Sequence, residues 1–350
     1  MSNKKKFTEN LMKWHFHENK RTMPWKGIKD PYKIWLSEII LQQTRVEQGL
    51  NYYENFVQTF PTITDLANAK DEVVFKMWEG LGYYTRCKNL LATARIVRDN
   101  FKGVFPDKYE DILKLKGIGP YTAAAIATFA YNLPFAVVDG NVFRVLARHF
   151  GIATATDSAA GKIEFSKLAQ TVMHQQESAL YNQAIMDFGA TVCKPLLPLC
   201  NSCILNKNCV AFKENIVNKL PVKEKKVMQK NRFFTYFIFT CKNKTLVHQR
   251  NEKDIWQNLH EFFLYETEQS IQWNKELVEE YLMNQHAIST SKNISISSVF
   301  QQQLTHQKIE GQFISVDISS IPISLKKYQW LSKVEYQKLA FPKFINQYLT

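Results

Sequence analysis

Near residue 230 the periodicity of this chain changes, and that change limits the folds open to it more than any other feature. Upstream, from 7 to 210, apolar residues recur at helical spacing in segment after segment, with no strand-like alternation between them. Asp30-Pro31 supplies an N-cap and a first-turn proline ahead of YKIWLSEIILQQTRV. Thr64 and Asp65 offer a second cap before LANAKDEVVFKMW, and Asp139 and Asn141 precede VFRVLARHF. The run TAAAIATFAY is small and apolar on every side, as a helix in the middle of a bundle must be. Downstream, FFTYFIFT and LVHQR flank the polar turn CKNKT, and ISISSVFQQQL and QFISVDIS again alternate with period two. The reading is an all-α domain over 1–211 and a separate α+β domain over 231–350. Between them, 212–230 carries six lysines and a proline and reads as an exposed basic connector.

Charge follows the same division. Residues 1–230 hold 32 Lys and Arg against 21 Asp and Glu, whereas residues 231–350 hold 13 against 11. A cationic first part is suited to a polyanion, although phosphate neutralisation carries no sequence information. No stretch has the apolar run of a signal peptide or a spanning helix, so the expected location is the cytoplasm, without membrane contact. There thiols stay reduced, and the six cysteines are not expected to form disulfides.

Four of those cysteines, Cys193, Cys200, Cys203 and Cys209, fall within 17 residues as C-x6-C-x2-C-x5-C. Four thiolates this close can surround one metal centre. Spacing alone leaves zinc and a [4Fe–4S] cluster both open, and four protein ligands favour a structural role. Lys194, Lys207 and Lys213 lie around the loop. Cys87 and Cys241 read as packed thiols.

In LKGIGPYTAAAI, Gly117 and Gly119 sit between two helical stretches. They permit a tight turn that leaves amide N–H groups at the next helix start, where an anion is favoured. Two carboxylates stand out. Glu38 lies in IWLSEIILQQT with Trp35, Ile39 and Gln42 on its face, so desolvation should raise its pKa and suit it to general-acid work. Asp139 opens a helix, where the dipole should favour its ionised form. One neutral and one anionic carboxyl suit glycosidic cleavage through an oxocarbenium-like state.

The blocks MPWKGIKDPYKIWLSEIILQQTRV, WEGLGYYTRCKNL, LKGIGPYTAAAI and VVDGNVFRVLAR, followed by the four-cysteine loop, occur in the order found in the MutY family. The chain resembles these adenine DNA glycosylases, within the endonuclease III-like helix-hairpin-helix superfamily, over essentially its whole length. The resemblance implies an all-α glycosylase domain with a hairpin near 112–130 and an iron–sulfur loop at 193–209, and a Nudix (MutT-like) C-terminal domain. The cofactor would be a [4Fe–4S] cluster on Cys193, Cys200, Cys203 and Cys209. The partner would be double-stranded DNA carrying 8-oxoguanine opposite adenine, bound by a monomer that flips the adenine out. Glu38 would protonate adenine N7 and activate water, Asp139 would stabilise the sugar cation, and Tyr121 and Asn141 would support them. Arg21, Trp25 and Gln183 would line the adenine pocket. Gln43 and Tyr83 would fill and wedge the stack beside the opposite base.

Tyr121 stands where glycosylase-lyases of this superfamily carry a lysine, and a phenol cannot form a Schiff base. The expectation is base removal without strand cleavage. An oxidised-pyrimidine glycosylase-lyase and a catalytically silent lesion-binding protein are the competing readings. In the C-terminal domain, Leu304-Thr305-His306 corresponds to the family's Phe-Ser-His lesion reader, with Thr305 and His306 keeping polar groups and Leu304 giving up an aromatic face. DIWQNLHEFF places Gln257 and Asn258 where the family is commonly glycine-rich. KELVEEYL lacks the order of a working Nudix box, so nucleotide hydrolysis is not expected.

Overall fold

Among the residues described by the computed structural model (3–224, 229–288 and 291–349), the anticipated helix starts carry capping chemistry, with one displaced. The first twelve α-helices are α1 (Asn3–His17), α2 (Pro31–Leu41), α3 (Val46–Thr59), α4 (Ile63–Asn68), α5 (Asp71–Met77) and α6 (Tyr84–Asn100). They continue with α7 (Tyr109–Leu113), α8 (Pro120–Tyr131), α9 (Gly140–Phe150), α10 (Ala159–Val172), α11 (Ser178–Thr191) and α12 (Val210–Lys213). The Asp30 side chain accepts from the Tyr32 amide with Pro31 in the first turn, and the Asp139 side chain accepts from the Val142 amide. Near 62 the cap lies earlier than the sequence suggested. Thr62 Oγ1 accepts from the Asp65 amide, Asp65 reaches back to the Thr62 amide, and the helix ends at Asn68 instead of running through to Trp78. Among the described residues, no helix is long and apolar enough to cross a membrane.

Contacts divide the chain into two units, one of residues 1–68 and 89–225, the other of 69–88 and 226–350. The segment 69–88 falls inside the sequence-expected first domain, yet it packs with the C-terminal residues. The Lys76 ammonium donates to the Leu339 carbonyl, and Glu79 Oε1 accepts from the Phe341 amide. Residues 225–228 of the expected connector lie outside the described residues.

In the first unit α2 packs on α8, whose residues 122–128 are all buried, and α1, α9, α10 and α11 enclose a second core around Phe165, Tyr181 and Phe188. Small side chains along α8 let α2 approach closely, which places the middle of α2 beside the start of α8.

The second unit is a mixed sheet. Its central strand β1 (Lys230–Cys241) pairs antiparallel with β2 (Lys244–Gln249), the two joined by Lys242 and Asn243 in left-handed conformations. The other strands are β3 (His260–Glu261), β4 (Phe263–Thr267), β5 (Ser291–Ile296), β6 (Phe300–Gln303), β7 (Gln307–Ile318) and β8 (Gln329–Leu331). The path runs β3-β2-β1-β7-β5, with β4 also on β1, β6 on β7 and β8 on β2. β1 and β7 run parallel from Lys230↔Gln307 to Thr240↔Asp317. At their centre a Cβ on Gly311 would meet the Phe234 carbonyl oxygen at 2.2 Å, so only glycine fits. Phe237 and Phe239 of β1 pack with Val278 and Leu282 of helix α13 (Lys275–His286), while Phe234 and Tyr236 meet Phe344 of the C-terminal helix Lys343–Leu349. Both sheet faces are therefore covered, which explains why FFTYFIFT is apolar almost throughout. ISISSVFQQQL forms two strands, β5 and β6, both paired with β7.

Candidate active site

A cleft of about 410 Å³ opens in the first unit between α2, α8, α9 and α11. It brings together Glu38, Tyr121, Asp139, Asn141, Arg21, Trp25 and Gln183, seven of the residues singled out by sequence. Glu38 projects from the apolar helix α2, and burial pushes its carboxyl up to about 7, with the Asp139 charge adding to the rise. Tyr121, on the first turn of α8, donates a hydrogen bond to Glu38, which offsets part of that rise. The phenol itself is driven well above its ordinary value, chiefly by burial, so it stays a donor.

Asp139 corrects one sequence expectation. Its Oδ1 accepts from the Val142 amide at 2.7 Å and its Oδ2 from Asn141 Nδ2 at 2.7 Å. Even so, burial outweighs these donors and its pKa is raised, not lowered. The helix start softens the desolvation penalty without cancelling it. Behind Asp139 stands a chain of hydrogen bonds that the sequence did not reveal. Asn141 Oδ1 accepts from Arg144 Nη2 at 2.8 Å, and the same guanidinium donates to the Gly189 carbonyl at 2.7 Å and the Cys193 carbonyl at 2.7 Å. Gly189 is essential to this arrangement, because a Cβ there would lie 2.6 Å from Asn141 Cβ and 3.1 Å from its backbone. Gly189→Ala is therefore expected to displace Asn141 and Asp139, lowering single-turnover activity about 10–100-fold and stability by roughly 1–3 kcal/mol. Activity within threefold of the parent would show that α9 can yield without disturbing the site.

The wall of the cleft is organised by a second residue that sequence reasoning missed. Asp187 on α11 is fully buried and accepts hydrogen bonds from Asn19, Arg21, Lys26 and Gln183. The available signal was an acid four residues after Gln183 on an otherwise uncharged helix. Trp25 is half-buried, with its ring 5.4 Å from that of Tyr53 in an edge-on contact.

Gly117 is left-handed (φ +77°), and a Cβ there would strike the Asn89 side chain at 2.7 Å. Gly119 caps α8 with extended backbone and has no atom within 4 Å of where a Cβ would stand. Open space beside Gly119 leaves room for a ligand to approach the turn ahead of α8. Gln43, just past α2, is exposed and left-handed (φ +57°), and it does not line the cleft.

Cys193, Cys200, Cys203 and Cys209 line one small cavity beneath Arg148. Arg148 donates to the carbonyls of Lys194, Pro195, Val217 and Leu220, and its Nη1 lies 3.6 Å from Cys193 Sγ. Burial pushes the thiols of Cys200, Cys203 and Cys209 up, Cys203 to about 12, and the neighbouring cysteines add to the rise. Four thiolates here would require a cationic centre, so the donor set fits a metal site. Among the described residues, no three His, Cys, Asp or Glu side chains are placed so as to hold a metal ion, these cysteines included.

Within the second unit a cavity of about 400 Å³ brings together Tyr83, Thr305 and His306, with Trp256, Asn258 and Leu304 beside them. Tyr83 is left-handed (φ +50°), 45% exposed, and its hydroxyl hydrogen-bonds Thr305 Oγ1; the Arg86 guanidinium lies 5.6 Å from its ring. Thr305 and His306 are exposed in the β6–β7 turn, and Leu304 is half-buried. The loop carrying Trp256 and Asn258 is fixed from below. Asp254 pairs with Arg232 at 2.8 Å and Arg250 at 3.0 Å, and Arg250 also pairs with Glu261 at 2.5 Å. Asn258 is left-handed (φ +71°), a conformation that asparagine tolerates where glycine is common.

The Glu38 carboxyl, the Gly117–Gly119 turn and the Asp139 cap all fall within one family match. Residues 36–176 match the HhH-GPD superfamily of base excision DNA repair proteins, and residues 235–350 match the NUDIX domain. An adenine DNA glycosylase from Buchnera aphidicola subsp. Schizaphis graminum is 35% identical over 77% of this chain and 78% of its own length. That of Buchnera aphidicola subsp. Baizongia pistaciae is 32% identical over 98% of this chain and 96% of its own. Among solved structures, a thermostable thymine-DNA glycosylase aligns with TM-score 0.56 and 28% identity, covering 61% of this chain and 97% of its own. The chain belongs to the adenine DNA glycosylase family.

Proposed function

We propose that this protein hydrolyses the N-glycosidic bond of adenine mispaired with 8-oxoguanine, or with guanine, in double-stranded DNA, and leaves the strand intact. The observation that carries the reading is Glu38, whose carboxyl titrates near 7 beside Tyr121 and Asp139 in a cleft large enough for a base. Adenine would enter that cleft by leaving the stack. Glu38 gives its proton to N7, the C1′–N9 bond breaks with its electron pair passing to the base, and Asp139 stabilises the cationic sugar. Water then adds at C1′ and returns a proton to Glu38. Tyr121 and Asn141 hold the two carboxyls, while Arg21, Trp25 and Gln183 grip the base.

Backbone amides at Gly117 and Gly119 would take a phosphate. Gln43 and Tyr83, both exposed and both left-handed, would enter the duplex beside the opposite base, at a cost in backbone strain typical of functional sites. Thr305 and His306, which share a cavity with Tyr83, would read 8-oxoguanine. Cys193, Cys200, Cys203 and Cys209 would hold a [4Fe–4S] cluster, which supplies a structural cross-link for a basic loop.

Single-turnover base release tests the reading on duplexes carrying adenine opposite 8-oxoguanine or guanine, or an oxidised pyrimidine, with and without alkali. The expected result is adenine release fastest opposite 8-oxoguanine, strand breaks only after alkali, and a broad absorbance near roughly 400 nm from the purified protein. Strand cleavage at the rate of base loss without alkali, or release of the pyrimidine alone, would overturn it.

A further inference from the structure

We infer that Asp187 is a specificity-determining positioning residue: it sets the hydrogen-bonding polarity of the cleft edge formed by Gln183 and Arg21, so that the edge admits a 6-aminopurine and rejects a 6-oxopurine. The inference rests on the proposed excision of adenine and deepens it. Asp187 itself does not line the cleft, and it acts through the side chains it holds.

Both oxygens of Asp187 are filled. Oδ1 accepts from Arg21 Nη1 at 2.9 Å and from Gln183 Nε2 at 3.0 Å. Oδ2 accepts from Asn19 Nδ2 at 2.9 Å and from Lys26 Nζ at 2.8 Å. Four donors saturate the acceptor capacity of one carboxylate. Burial acts to raise the pKa of Asp187, but the Lys26, Asn19 and Arg21 donors outweigh it and hold the group below its usual value. An ionised carboxylate has no proton to offer, so the end of the Gln183 amide that it holds must be the nitrogen. The ordinary ambiguity of a glutamine is thereby removed, and the carbonyl oxygen is the end left for the base.

Because Arg21 and Gln183 share one oxygen of Asp187, a guanidinium donor and an amide acceptor stand side by side on the wall that also carries Glu38. Adenine presents the complement on its pairing edge, an amino group beside an unprotonated ring nitrogen. Hypoxanthine and guanine present the reverse, a carbonyl beside a ring N–H. A 6-oxopurine would therefore set its carbonyl against the Gln183 oxygen and its N–H against the Arg21 cation, leaving buried polar groups unpaired. Asparagine at 187 removes the constraint. Its own NH2 can donate to the Gln183 oxygen, so the glutamine can turn its nitrogen to the base.

The test is release of adenine and of hypoxanthine opposite 8-oxoguanine by the parent, Asp187→Asn, Gln183→Leu and the double variant, compared as kcat/KM ratios. The parent is expected to prefer adenine by at least about 100-fold. Asp187→Asn and Gln183→Leu should each reduce that preference by about 10-fold or more, and the double variant should reduce it no further. Equal losses on both bases, with the ratio within threefold of the parent, would mean that Asp187 only supports the fold and would overturn the inference. If Asp187→Asn does not fold, Gln183→Leu decides, since an unchanged ratio there removes the edge that Asp187 is said to orient. A parent that releases no adenine sinks the functional reading, whereas a parent that does, with ratios unmoved by these variants, sinks only this inference.

Discussion

Glu38→Gln is expected to lower single-turnover adenine release by at least about 10³-fold while leaving duplex binding within a few-fold of the parent. General-acid catalysis contributes about 10²–10⁴ in such reactions, and glutamine can accept the Tyr121 hydrogen bond but has no proton to give. In the parent, the rate of the chemical step should fall above pH 7, as the carboxyl raised to about 7 loses its proton. The same shift makes the variant more stable. A carboxyl whose folded-state pKa lies above its unfolded value stabilises the fold fully only below the unfolded pKa. That contribution is lost as pH rises through the folded one. The parent therefore loses ground to Glu38→Gln between about pH 4.5 and 7, where the difference reaches up to about 3 kcal/mol and then levels off. Denaturant melts of both proteins at pH 4.5 and 8 would measure it, and an equal difference at the two pH values would contradict the raised pKa.

The second large effect belongs to Asp139. Asp139→Asn keeps a side-chain oxygen for the Val142 amide, so α9 should still begin at Gly140 and the fold should persist. What disappears is the negative charge facing the developing sugar cation. Removing one such preorganised group costs about 10²–10³ in rate, and rather more if the carboxylate bonds transiently to C1′. Because Asp139 also raises the Glu38 pKa, the variant should shift the alkaline limb of the pH profile towards lower pH. A rate within tenfold of the parent, or a limb that stays in place, would remove Asp139 from the chemistry.

Much of the site could be read along the chain because its parts are local. Asp30-Pro31 and Asp139 are caps, and Glu38 announces itself as an acid in an apolar helix. The GIG turn and the cysteine spacing are equally local. What the sequence withheld depends on contacts between distant segments. Asp187 is an isolated acid until Arg21 and Lys26, more than 150 residues earlier, converge on it. Gly189 looks like any helix glycine until Asn141 is seen against it. The raised pKa of Asp139 escaped for the same reason, since a cap is visible in sequence whereas the depth at which it is buried is not. Segment 69–88 reads as more of the helical domain, and only the Lys76 and Glu79 bonds to the C-terminal backbone assign it to the other unit.

The Glu38 carboxyl keeps its proton near neutral pH. Carbon-13 NMR titration of glutamate-labelled protein, with the Glu38 resonance assigned by its loss in Glu38→Gln, measures this directly. A carboxyl titrating at about 7 is expected. A Glu38 midpoint between about 4 and 5, where unperturbed glutamates titrate, would contradict it.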